Sequence, residues 1–177
     1  MARRTTKQEA ASTAPVVKET KDRKIPQDTM IAVVNNRTNE LIYGSVRMAG
    51  VKYMWESFGE TQYIEFAELV SMRGSAPRFF SENWIVVEPS EGYSTDEIYK
   101  ALGVDRYYKH VVTPKTLDSL FTKPLDYIRG EMEHYSESIK KLVYERAVQL
   151  RETGELDSIS KFNAVKELAG VKDIIEG

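Results

Sequence analysis

The sequence predicts an α+β fold: a small N-terminal antiparallel sheet or barrel of about five strands, then a C-terminal helical region, with an extended arm in front. Three observations carry this. Residues 51–66, VKYMWESFGETQYIEF, hold five aromatic residues in sixteen, in a chain that is 10% aromatic. They alternate with the period of a strand, so that Val51, Tyr53 and Trp55 share one side and Lys52 and Met54 the other. From Ser90 onward the apolar residues recur at helical spacing instead. Residues 1–29 contain no aromatic residue and carry seven basic side chains against four acidic ones, a net of +3 in a chain of net charge -2. The expected organisation is a basic arm over 1–29, a β-rich domain over 30–89 and a helical domain over 90–177.

The arm is too polar to offset the entropy of ordering itself alone. Five strands follow in order. MIAVV (30–34) is apolar and runs into NNRTN, a turn cluster. ELIYGSV (40–46) and VKYMW (51–55) come next, joined through Met48 to Gly50. ESFGE turns at Gly59, and TQYIEF (61–66) returns. AELVSMRG reads as one or two helical turns ended by Gly74, and SAPRFFSEN as another short turn. WIVVEP is the last strand, stopped by Pro89. So small a domain needs large side chains inside. Tyr53, Trp55, Tyr63, Phe66, Phe79, Phe80 and Trp84 are the expected interior, with Glu56, Glu60, Glu65 and Glu68 outside it.

The helical half begins at STDEIYKALGV, where Ser94 and Glu97 have capping-box spacing and Gly103 ends the helix. RYYKHVV (106–112) reads as a short β-like run. Thr113 is the expected cap of the next helix, with Pro114 at its first position, and Pro124 repeats that start. SESIKKLVYERAVQLRETG carries a stripe of Ile139, Leu142, Val143, Ala147 and Leu150. A last helix starts at Asp157 or Ser158, with Ile159, Phe162, Val165 and Ala169 on one face.

Composition narrows function. The chain has 177 residues and no cysteine, which excludes disulfides, thiolate metal sites and thiol nucleophiles. The opening MARRTTKQEA has no apolar run, and no stretch reaches the roughly 18 apolar residues of a membrane helix, so a soluble protein made in a cytoplasm is expected. The histidines, His110 and His134, are 24 residues apart. Glu131 and His134 are spaced as on a di-metal helix, but the pair occurs once, so a solvated helix face is expected and no metal. There is no phosphate-binding glycine loop and no nucleophile elbow, so neither a cofactor nor an enzyme is expected. Nucleic-acid binding is disfavoured by the acidic body, with a net charge of -5 outside the arm, although a transcription accessory factor stays the alternative.

Candidate partner-binding residues are Arg3, Arg4 and Lys7 in the arm, and Arg73, Arg78 and Phe79 in SMRGSAPRFFSENW, since arginine and aromatic side chains are enriched in interface cores. The plainer reading has Phe79 and Phe80 capping the sheet core while the arginines pair with Glu68 and Glu82.

The string VVNNRTNELIYGSVRMAGVKYMWESFGETQYIEFAELVSMRGSAPRFFSENWIVVE resembles small proteins that recur in genomes of tailed bacteriophages. GELDSISKFNAVKELAGV resembles them too. A strand, an Asn-Thr turn, a Tyr-Trp strand, an FG turn and an RFF-x-x-NW segment follow in this order. The likeness covers residues 31–88 and, more loosely, the C-terminal helices. It implies a phage origin and a virion-associated role as a capsid-associated, neck or tail protein among other virion proteins. It brings no catalytic motif. The basic arm is similar in style to arms that lace viral subunits together.

Overall fold

A computed structural model describes residues 23–171 of the chain. The protein is α+β, with five strands and seven α-helices among the described residues. The strands are β1 (Met30–Asn35), β2 (Leu41–Gly44), β3 (Lys52–Trp55), β4 (Thr61–Glu65) and β5 (Ile85–Val87). They build two small antiparallel sheets, β4–β1–β5 and the β2–β3 hairpin, and not one closed barrel. The gap lies between β3 and β4. There the Gln62 side chain donates to the Met54 carbonyl at 2.8 Å, where a continuous sheet would have a main-chain ladder.

Alternation decides which rings go in. Leu41, Tyr43 and Trp55 of the hairpin are buried, while their neighbours Ile42 and Met54 are half exposed. The Trp55 indole N–H donates to the Val33 carbonyl at 2.9 Å, so its polar atom is satisfied inside the core. Phe66, Phe79 and Phe80 are also buried, and Tyr53 and Trp84 pack partly buried against them. Tyr63 corrects the expectation, being 63% exposed. Ile64 pairs with Ile31 and takes the core side of β4, and the period of two then turns Tyr63 away.

Helix α1 (Phe66–Ser75) follows β4 directly and has no side-chain cap. Its first N–H groups are met by the chain ahead of β1: Phe66 donates to the Thr29 carbonyl and Ala67 to that of Gln27, both at 2.9 Å. These are orphan donors that every helix start must place. Ile25 plugs into the same core at 2% exposure. Residues 23–29, expected in the arm, therefore lie against the folded body, and residues 1–22 are outside the described residues. Helix α2 (Arg78–Ser81) carries Phe79 and Phe80 inward. Helix α3 (Thr95–Leu102) has the full Ser94–Glu97 capping box and ends at Gly103 with φ 66°. Its Ile98, Tyr99 and Leu102 belong to this first core, which runs from Ile25 to Val104.

The segment 106–112 is not a strand. It opens with a 3-10 turn at Asp105–Tyr107. Tyrosine side chains cover the edge of β5 instead of a paired backbone: Tyr108 Oη donates to the Ile85 carbonyl at 2.8 Å, and the Val87 N–H donates to Tyr99 Oη at 2.9 Å. The two rings stack at 3.9 Å. Loss of hydration raises both phenols above their ordinary range, so they remain neutral hydrogen-bonding groups.

Helices α4 (Leu117–Phe121), α5 (Leu125–His134), α6 (Glu137–Glu152) and α7 (Ile159–Leu168) enclose a second core that includes Leu117, Ile128, Met132, Val143 and Val165. The expected α6 stripe is buried in full. Thr113 closes a turn, and the helix starts only after Thr116; Pro124 stands just before α5. Ser158 caps α7, accepting from the Lys161 N–H at 3.3 Å. Ile159 is 62% exposed, and Ala164, Val165 and Ala169 face inward in its place. Arg146 grips Asp118 with two bonds of 2.7 Å, tying α6 to α4. That bonding lowers the Asp118 carboxyl below its usual value.

Polar side chains join the two cores. Asn36 Nδ2 donates to the carbonyls of Asn83 at 3.2 Å and Val112 at 3.0 Å. Asn83, at φ 54°, donates to the Tyr107 carbonyl at 2.8 Å. Trp84 Nε1 donates to Ser138 Oγ at 3.0 Å.

Candidate protein-binding site

The structure separates the candidate residues. Arg3, Arg4 and Lys7 lie outside the described residues. Phe79 is core: it is 7% exposed and meets Tyr43 and Trp84 edge-on at 5.7 and 5.4 Å. Arg73 is a cap. Its Nη1 donates to the Leu102 carbonyl at 2.6 Å, closing the C-terminal end of α3, where cations are favoured by the helix dipole. It does not pair with Glu68 as expected.

Glu68 itself is fully buried, against the expectation that it lies outside. Its Oε1 accepts from Tyr43 Oη at 2.9 Å, and Arg47 Nη1 is 3.7 Å from its Oε2. Burial above all, helped by the neighbouring carboxylate, pushes the Tyr43 phenol above its ordinary value. The Tyr43 hydroxyl therefore keeps its proton to donate.

Arg78 remains at the surface. Its guanidinium lies over the Trp84 ring at 5.0 Å, and Arg37 lies over the same ring at 4.8 Å. Neither arginine has a carboxylate within ion-pair distance among the described residues. Strand register brings them together. Asn35 pairs with Ile85, so the residues just beyond must meet, and the Asn36 N–H donates to the Trp84 carbonyl at 2.8 Å. The Asn35 side chain accepts from the Arg37 N–H at 2.9 Å and shapes that turn. Phe79 behind and Ser138 beside the indole hold Trp84 in place.

Each guanidinium–ring contact is worth about 0.5–1 kcal/mol at such an exposed site. It fixes the cation while leaving N–H edges for a planar acceptor. Two oriented guanidiniums beside an anchored indole suit a carboxylate-bearing protein segment. Sequence reasoning singled out Arg78 but not Arg37 or Trp84 as surface residues. The available signal was NNRTN ending one strand and NW opening another, which becomes informative once β1 and β5 are known to pair.

Among the described residues, no helix is long and apolar enough to cross a membrane, and no group of three or more carboxylate or imidazole side chains is placed to hold a metal. Compared with protein-family models, with curated proteins and with solved structures, the chain matches none.

Proposed function

We propose that the protein is a structural component of a tailed-phage particle, capsid-associated or in the neck or tail, that binds neighbouring subunits non-covalently. The phage setting rests on the sequence likeness over residues 31–88. The mode of binding rests on Arg37 and Arg78 lying over the Trp84 ring, two cations without an acidic partner among the described residues. A neighbour would place an acidic segment there. Arg3, Arg4 and Lys7 would add charge contacts to the same neighbour.

The test is copy number in purified particles, measured by quantitative mass spectrometry, with the full chain and with two variants. One is Arg37→Gln/Arg78→Gln. The other lacks residues 1–22, a boundary that spares buried Ile25. Loss of two interface anchors is expected to cut occupancy about tenfold or more, with the fold intact by circular dichroism. Undiminished occupancy of both variants contradicts the proposal. Retention of the purified protein on DNA or RNA with a steep salt dependence, together with its absence from particles, replaces it by the nucleic-acid reading.

A further inference from the structure

The chain's two histidines, 24 residues apart in sequence, meet in space. His110 lies between the 3-10 turn and α4, and His134 is the last residue of α5. Their rings stack with centroids 4.6 Å apart and 30° between planes. With Arg106, Lys109, Ser81 and Ser136 they line a cleft of about 290 Å³, separate from the Trp84 patch.

The walls of this cleft are cationic or neutral. Arg106 is held over the Tyr107 ring at 4.7 Å and donates to Tyr107 Oη at 2.7 Å. Neither Arg106 nor Lys109 has a carboxylate within ion-pair distance among the described residues. Tyr135 also faces the cleft, its phenol raised by burial and by the nearby Glu131 charge. Helix α6, sixteen residues long, starts here with Ser136 as its cap, so its partial positive charge points the same way. Two features oppose an anion: Glu131, on α5, whose Oε2 is 3.9 Å from His110 Nδ1, and the C-terminal end of α5 at His134, where the helix dipole is negative.

We propose that this cleft binds a small tetrahedral oxyanion, a phosphate group free or on a small molecule, between the histidine stack, Arg106 and Lys109. An anion is attracted to an imidazolium but not to a neutral imidazole. Proton uptake and anion binding are therefore coupled, and affinity rises as pH falls. Glu131 competes with the anion for His110.

Because both histidines of the chain line this site, every imidazole Cε1–H resonance in a proton NMR spectrum reports on it. The full chain is titrated with sulfate, whose charge is constant over the range used, at fixed ionic strength with chloride as control. At about pH 5.5 both resonances are expected to shift saturably, with affinity about tenfold higher than at about pH 8. Arg106→Gln and Lys109→Gln are each expected to weaken binding about tenfold, the loss of one charge-assisted hydrogen bond, while the rest of the spectrum is unchanged. Glu131→Gln is expected to tighten it. Inorganic phosphate is expected to compete with sulfate. Shifts no larger than those from chloride, or wild-type affinity in both the Arg106 and Lys109 variants, overturn the proposal.

Discussion

Trp55→Ala is expected to lower folding stability by about 3–5 kcal/mol, the range for removing a fully buried aromatic side chain. For a domain of this size that corresponds to a fall of about 10 °C in Tm. Trp55 is 0% exposed, pairs with Leu41 in the hairpin, bonds Val33 of the other sheet and belongs to the core that includes Ile64 and Phe80. Truncation removes the ring's apolar contacts and leaves the Val33 carbonyl without its indole donor. Neighbouring side chains cannot refill the space cheaply, because protein interiors are close-packed. Ile42 supplies the contrast. It lies in β2 one residue from the Leu41–Trp55 pair but points outward, at 50% exposure, so Ile42→Ala is expected to change stability by about 0.5 kcal/mol or less. Urea titration of both variants checks the pair. Equal losses would mean that the hairpin does not bury one face.

The second large effect concerns Glu68. A buried carboxylate is tolerated only with hydrogen bonds or a countercharge. Here one oxygen accepts from Tyr43, and the other has no hydrogen-bond partner in the structure, with Arg47 3.7 Å away. Tyr43→Phe removes the one donor and is expected to cost about 2–3 kcal/mol, the magnitude for a hydrogen bond to a charged group. Glu68→Met added to that variant is expected to recover most of the loss, because replacing both polar partners by apolar ones is nearly neutral. A double-mutant cycle by denaturant unfolding measures the coupling. If Glu68→Met rescues nothing, the Tyr43 hydroxyl is not what sustains the buried carboxylate.

Much of the fold was legible because its determinants are local. The apolar run MIAVV, the alternation in VKYMW, and the turn and stop signals at NNRTN, Gly59 and Pro89 located all five strands. Ser94, Glu97 and Gly103 marked both ends of α3, since capping depends on residues within one turn. What the sequence did not reveal is non-local. Glu68 looks like a surface glutamate until Tyr43 and Arg47 arrive from the hairpin. Tyr63 has the composition of a core residue, and only the pairing of Ile64 with Ile31 decides which side of β4 it takes. RYYKHVV has strand propensity, yet Tyr99 and Tyr108 cover the β5 edge through their hydroxyls. The surface sites share this property. Arg37 meets Trp84 only because β1 pairs with β5, and His110 meets His134 only because the chain after α3 folds back on the end of α5.

The central claim is that Trp55, Phe66, Phe79 and Phe80 face inward and hold the β module, leaving recognition to the exterior where Arg37 and Arg78 lie over the half-buried Trp84 ring. The chain has two tryptophans, so a Trp84→Phe variant reports Trp55 alone. Its fluorescence in the folded state is expected to be blue-shifted and insensitive to iodide, with full quenching appearing only on unfolding. Emission at the wavelength of solvated tryptophan, quenched by iodide in the folded protein as readily as in the unfolded chain, would contradict it.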